Sequence, residues 1–415
     1  MVLLALWQRN GYWDFSDGVY AATARELLHG MTLYRAVAAA QPPPVYLVGT
    51  LLLALHDGPA SLRTGLAVVD LATAALVAEA VWRLSGRRWL ALAAGLAAPL
   101  LPITLHEHAQ LIPETLAAPL ILLGALLCSR RERSGIGGAV LALAAACKLA
   151  FLLPALAVAL FAASRRRALA ALLGGGIVLG GVALAIYGSA LWTETVTAQF
   201  AVGDATLHYV AGLVAQAAWN ELPLVVGAVV ALGALRAAER SSRVGADVLD
   251  TALLRTLVAA AGAGLLLGFT LFKYGSYIDV FVAAEPPLLA LASLGAWLAW
   301  QRCGVALRLA VAAVLLLLVA QSASLLIAPD SAPIARRPGA RSGLIEVSSP
   351  AAVSRAVAAA RRCPATAAYS GPPYIAFLAD RRLPGDQPDT FMLRYSSTDA
   401  AFARRAAVDV PRCPS

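Results

Sequence analysis

The sequence predicts an all-α polytopic membrane protein with a small α/β domain at its C-terminal end, and three observations predict it. The 415 residues are 60% hydrophobic and only 14% charged, with a mean hydropathy of +0.73, whereas soluble domains run nearer roughly 45–50% apolar and about 25% charged. Apolar runs approaching or exceeding the roughly 18 residues of a transmembrane helix recur along most of the chain. Arginines gather in short clusters between those runs: Arg83/Arg87/Arg88, Arg130/Arg131/Arg133, Arg165/Arg166/Arg167, Arg236/Arg240/Arg243 and Arg302/Arg308. The net charge of +9 therefore reads as the bias that orients membrane helices, and no nucleic-acid partner is expected.

The elements follow in order. Met1–Trp7 reads as the tail of a first span, too short to cross alone. Asp14 and Asp17 precede a helix over 18–29 with Tyr20, Ala24, Leu27 and Leu28 on one face, which suits a helix lying in the membrane interface. Capping of that helix is the alternative role for either acid. Gly30 ends it. Pro42-Pro43-Pro44 then aims the chain at Val45–Leu55, a run too short to span.

With all five arginine clusters on the cytoplasmic side, the number of crossings between neighbours is even. Spans then fall at Thr64–Trp82, in pairs within 89–128, 168–235 and 251–301, and last at 309–327. Segment 136–164 becomes two short helices with Lys148 and Pro154 near their turn, because a lone ammonium left in hydrocarbon is costly. Asp70 faces the bundle interior, and Glu79 pairs with Arg83 one helical turn on. The sum is a membrane module over 1–327 with about eleven spans and an outer loop at 9–63. An extracytoplasmic domain at 328–415 follows, with a helix over Ala351–Arg362 and a strand over Ala365–Tyr369. Cys128, Cys147 and Cys303 lie in or beside spans as small hydrophobes. Cys363 and Cys413 share the tail, where a disulfide is expected and two free thiols are the alternative.

The polar chemistry of the opening loop carries a resemblance. "SDGVYAATARELLHGMTLYR" followed by "QPPPVY" resembles the first outer loop of the GT-C superfamily of glycosyltransferases, through Asp17, Tyr20, Leu27-Leu28-His29-Gly30, Tyr34 and Pro43-Pro44-Val45-Tyr46. An acid in the second outer loop (Glu107 or Glu114), a lysine on a short hairpin (Lys148), the late loop "FKYGSYIDVF" and the tail segment "YIAFLADRRLPGDQPDTF" extend it. Relatives include protein O-mannosyltransferases, the lipid A aminoarabinose transferase and the catalytic subunit of oligosaccharyltransferase. Many carry Asp-Glu where this chain has Ser16-Asp17, so Asp14 stays beside Asp17 as a choice for the catalytic acid.

The resemblance implies a multi-pass enzyme of the cell envelope, of hexosyltransferase or mannosyltransferase type. It would move a sugar from a polyprenyl-phosphate carrier to a glycan, lipid or protein acceptor, with its site on the extracytoplasmic face. Asp17 or Asp14 would be the general base, with Glu114 preferred slightly over Glu107 as a second acid. Lys148, Lys273 and Arg382, with Tyr20 and Tyr46, would hold the donor phosphate. Snorkelling explains Lys148 equally well, and a favourable first-turn carboxylate explains Glu114. A divalent metal held by His106, Glu107, His108 and Asp17 is the one cofactor considered. Alternating residues do not share a helix face, so a hydrogen-bonded polar turn is preferred there. A lipid-linked sugar flippase would concentrate polar groups near the bilayer midplane and show repeats. A non-catalytic assembly protein would not need acids and cations converging on one face.

Overall fold

The computed structural model describes residues 15–107, 110–240, 250–273, 276–302, 305–327, 350–364, 367–389 and 412–413. Helix α1 (Phe15–Leu28) starts three residues before the expected 18, so Asp17 sits in its first turn instead of capping it. It stops where expected: Gly30 takes a left-handed φ of 89° and the Met31 amide returns to the Glu26 carbonyl. Helix α2 (Pro44–Leu55) is the short apolar run and packs along α1.

Helix α3 (Pro59–Ser85) has 27 residues and a length of about 40 Å. It begins before Arg63, drawing that residue out of the expected loop and into the helix. Helix α4 (Arg88–Ala97) is about 15 Å long, half a bilayer core, and a 3₁₀ turn links it to α5 (Pro102–Glu107). Helix α6 (Pro113–Cys128) follows. Helices α7 (Ser134–Cys147) and α8 (Leu152–Leu160) form the short hairpin, with Lys148 extended at its tip. Helix α9 (Arg165–Tyr187) leads to short helical turns through Ala201, and α10 (Leu207–Arg240) returns. Helices α11 (Thr251–Leu266), α12 (Glu285–Arg302) and α13 (Val305–Ile327) complete the bundle.

Against the expected count of about eleven spans, four helical stretches among the described residues are long and apolar enough to cross a membrane: Pro59–Ser85, Arg165–Tyr187, Leu207–Gly233 and Thr251–Phe272. Val305–Ile327 has 23 residues, and shorter apolar stretches lie at Pro44–Leu55, Arg88–Leu100, Pro113–Cys128 and Leu149–Leu160.

Two devices hold the late helices together. A Cβ on Gly295 would lie 2.2 Å from the Gly227 carbonyl, so only glycine lets α12 cross α10 this closely. Pro223 inside α10 cannot donate to the Trp219 carbonyl. That orphaned carbonyl accepts instead from Gln321 Nε2 on α13 at 2.7 Å, the kind of re-satisfaction a helix in lipid requires. At the arginine end, Arg83 does not use Glu79. It turns inward to Asp250, Ser129 and the Leu126 carbonyl, tying the ends of α3 and α6 to the start of α11.

The tail comprises α14 (Pro350–Arg361), strand β1 (Ala368–Tyr369), α15 (Pro373–Ala379) and strand β2 (Arg412–Cys413). Of the expected strand over Ala365–Tyr369, Ala368–Tyr369 is strand, paired in parallel with β2, and 365–366 lie outside the described residues. The helix α15 of this tail packs on α1. A Cβ on Gly18 would meet the Tyr374 backbone nitrogen at 2.3 Å, so Gly18 is what admits α15. Arg25 then clamps the joint, donating to the Phe377 carbonyl, covering the Phe377 ring at 4.0 Å and pairing with Asp57 and Asp380. Cys363 is disulfide-bonded. Because β2 carries Cys413 alongside Tyr369, Cys413 is the expected partner. Non-reducing peptide mapping should recover the Cys363–Cys413 link, which would be worth roughly 4 kcal/mol for a loop of about fifty residues.

Candidate active site

Asp17 is the anchor. The first turn of α1 faces inward, and Asp17 is 1% exposed. Its Oδ2 pairs with Arg63 Nη2 at 2.6 Å and its Oδ1 accepts the Leu111 amide at 2.9 Å. These partners come from α3 and from the segment joining α5 to α6, so three elements meet at one carboxylate.

Three residues beyond Leu111, Glu114 opens α6, buried and paired with Lys148 from the α7–α8 hairpin tip. Burial alone would lower the Lys148 pKa. Glu114, then Asp279 and Glu107, outweigh it and hold the ammonium above the ordinary lysine range. Lys273 lies beyond, its Nζ on Gln199 Oε1 at 2.8 Å, its backbone bridged to Asp204. Burial and then the Lys148 charge pull Lys273 down to about 8. Tyr20, one turn along α1 from Asp17, is pushed well above the ordinary tyrosine value by burial, then by Tyr46, Glu114, Asp389 and Asp279. It therefore stays a hydroxyl donor. Its ring lies 5.5 Å from that of Tyr46.

The structure thus brings Asp17, Tyr20, Tyr46, Glu107, Glu114, Lys148 and Lys273 to one set of helix ends, opposite the end where Arg83 binds. It does not bring Arg382, which is 73% exposed and held by Asp386 on the tail surface. Asp14, His108 and the His106 side chain lie outside the described residues. Among the described residues no group of His, Cys, Asp or Glu forms a cage for a metal ion, and Asp17 is occupied by Arg63. Sequence reasoning passed over Arg63, Gln199, Asp279 and Asp389. A single arginine at the mouth of a long apolar helix, and the one acid in "FKYGSYIDVF", were the available signals.

This arrangement of helices has counterparts among solved structures. The chain superposes on ArnT from Cupriavidus metallidurans bound to undecaprenyl phosphate with a TM-score of 0.63 at 14% identity, covering 99% of this chain and 87% of that one. It superposes on the apo state of ArnT with a TM-score of 0.59 at 16% identity, covering 98% and 75%. At that identity the likeness establishes the fold. No family model and no curated protein matches the sequence.

Proposed function

We propose that the protein is a membrane glycosyltransferase that moves a sugar from a polyprenyl-phosphate carrier to a hydroxyl of a glycan, lipid or protein acceptor, on the extracytoplasmic face of the cell membrane. The observation that carries this reading is that Lys148, held by Glu114, and Lys273, held by Gln199, come to the same set of helix ends as the buried Asp17 carboxylate, with the Lys148 charge felt at Lys273. Like charges at such range repel, and an anion between them relieves the repulsion. The ArnT structure with undecaprenyl phosphate supports a lipid phosphate as that anion.

The chemistry can be written with this chain's own side chains. The acceptor oxygen attacks the sugar C1 while Asp17 receives the hydroxyl proton. The bond from C1 to the phosphate oxygen breaks, its electron pair stays on that oxygen, and the polyprenyl phosphate leaves as a monoester. Lys148 and Lys273 face the charge that grows on it. Protein reconstituted in liposomes should transfer label only from polyprenyl-phosphate sugars, with mannose and other hexoses the first donors to try. Transfer from nucleotide sugars instead would refute the reading. The orientation has its own check. Single cysteines near positions 40 and 276 should react with an impermeant maleimide from outside intact cells, and reaction only after lysis would reverse the topology.

The lysine pair also predicts a pH dependence. With its pKa near about 8, Lys273 in the empty protein loses its proton as pH rises through that value. Phosphate favours the charged form, so binding above this pH takes up a proton and weakens as pH climbs. Calorimetry of polyprenyl phosphate binding in buffers of different ionisation enthalpy should show uptake near pH 8 that Lys273→Gln removes.

A further inference from the structure

The opening loop meets the turns between α9 and α10 through one side chain. Gln199 lies in the short helix Ala198–Ala201 and is partly buried. Its Nε2 donates to the Ala40 carbonyl at 2.9 Å, and its Oε1 accepts from Lys273 Nζ at 2.8 Å. The two partners dictate the orientation of the amide, because a carbonyl only accepts and an ammonium only donates. A small buried apolar cluster of Ala40, Ala198 and Val202 joins the same two segments.

Both ends of this link are fixed by backbone. On the loop side, Ala40 sits between pinned neighbours. The Ala38 amide donates to Gln387 Oε1 at 2.9 Å, and the Ala36 carbonyl accepts from Gln387 Nε2 at 2.8 Å. The Gln41 carbonyl accepts from the Tyr34 hydroxyl at 2.6 Å. On the lysine side, Lys273 is extended, with φ −88° and ψ 133°. It is bridged antiparallel to Asp204, and next to it the Ala205 amide donates to the Phe272 carbonyl at 2.7 Å. What the backbone leaves open is the direction of a flexible four-carbon side chain, and the Gln199 amide sets it. Lys148 is bonded to a carboxylate, Glu114. Gln199 is neutral, so it orients the Lys273 ammonium without cancelling its charge.

We infer that Gln199 is the positioning residue of Lys273, tying its ammonium to the seated opening loop while leaving its charge for a lipid phosphate. This rests on the glycosyltransferase reading. Ordering a rotamer-rich side chain at the moment of binding costs affinity, and Gln199 orders this one beforehand. The position needs a donor for Ala40, an acceptor for Lys273 and no charge. An ionised glutamate lacks the donor and adds a charge, and an apolar side chain lacks both bonds.

The test makes two measurements on the full-length protein in nanodiscs. The first needs no ligand: acylation of the Lys273 amine, followed by mass spectrometry across pH, reports its own titration. The charges around it are Lys148, which lowers Lys273 and is itself held charged above the ordinary lysine range, and Asp204 across the bridge. In the wild type the midpoint should fall near about 8. Gln199→Leu removes an acceptor of the charged form and should move it down, whereas Gln199→Glu adds an opposite charge and should move it up. A merely structural role for Gln199 would not give opposite shifts. The second measurement is affinity for undecaprenyl phosphate. Gln199→Leu should weaken it by about threefold to tenfold, the cost of ordering one long side chain, and Gln199→Glu by at least about tenfold, because its carboxylate competes for the ammonium. Added to Lys273→Gln, Gln199→Leu should change affinity by less than about twofold, since the residue it positions is gone. A Lys273 midpoint that both variants leave in place overturns the proposal. So does Lys273→Gln weakening the lipid while neither Gln199 variant does, which leaves the phosphate site standing. Wild-type protein that does not bind undecaprenyl phosphate overturns the glycosyltransferase reading and the proposal with it.

Discussion

Asp17→Asn is expected to reduce sugar transfer by about 10²–10⁴-fold, the range for loss of a general base. The substitution keeps the shape and keeps an oxygen for the Leu111 amide, but it removes the charge that faces Arg63 at 2.6 Å. Both partners are buried, Asp17 at 1% and Arg63 at 5% exposed. Breaking such a pair by removing one member costs on the order of 3–5 kcal/mol, so lost activity could come from lost structure. The double variant Asp17→Asn/Arg63→Gln separates the two: it removes both charges and should recover thermal stability in detergent while staying inactive. Arg63→Gln alone should be unstable yet retain some turnover at low temperature, because the carboxylate survives. Full activity in the double variant would end the general-base assignment. Loss in Asp14→Asn with full activity in Asp17→Asn would move the role to Asp14.

The sequence carried the frame of this site further than its contents. Lys148 was placed at a hairpin tip by two arguments, the even number of crossings between arginine clusters and the cost of a stranded ammonium. Both are constraints on the chain as a whole, and the hairpin they require is found with Lys148 between its two helices. The opening helix was placed to within three residues, but its start was misread. Capping was the alternative role for Asp17, because an acid before an apolar stripe often caps, and only the fold shows that α3 and the Leu111 segment take that carboxylate. Arg63 could not be read at all. Periodicity assigns a long apolar helix, but it does not tell whether an arginine near the mouth turns to solvent or to a partner 46 positions earlier. The same holds for Glu79: the i,i+4 rule is local, and Arg83 found a better partner in Asp250. Arg382 failed for the opposite reason. It was chosen by charge alone, and its local partner Asp386 keeps it on the tail surface. Gln387 of the same tail bonds to the Ala36 and Ala38 backbone of the opening loop after a left-handed turn at Gly385 and Asp386, a feature of backbone geometry that no charge pattern announces.

Lys148→Met carries the second large expected effect, on donor binding. Lys148 is bonded to Glu114, which is 1% exposed. A methionine of similar length leaves that carboxylate buried without its cation, again at roughly 3–5 kcal/mol, and it deletes one of two ammonium groups proposed to face the phosphate. A hydrogen bond to a charged group is worth about 1.5–3 kcal/mol, so affinity for polyprenyl phosphate should fall by about ten- to a hundredfold. Lys148→Met/Glu114→Gln removes both members of the pair and leaves a neutral, well-filled site. Its melting temperature should return toward that of the wild type while lipid-phosphate affinity and transfer stay low. The two measurements discriminate because structure follows the pair and function follows the cation. Should the double variant bind lipid phosphate and transfer sugar at the wild-type rate, Lys148 is a counter-ion for Glu114 and nothing more. Lys273, held by Gln199, would then be the group left to hold the leaving phosphate.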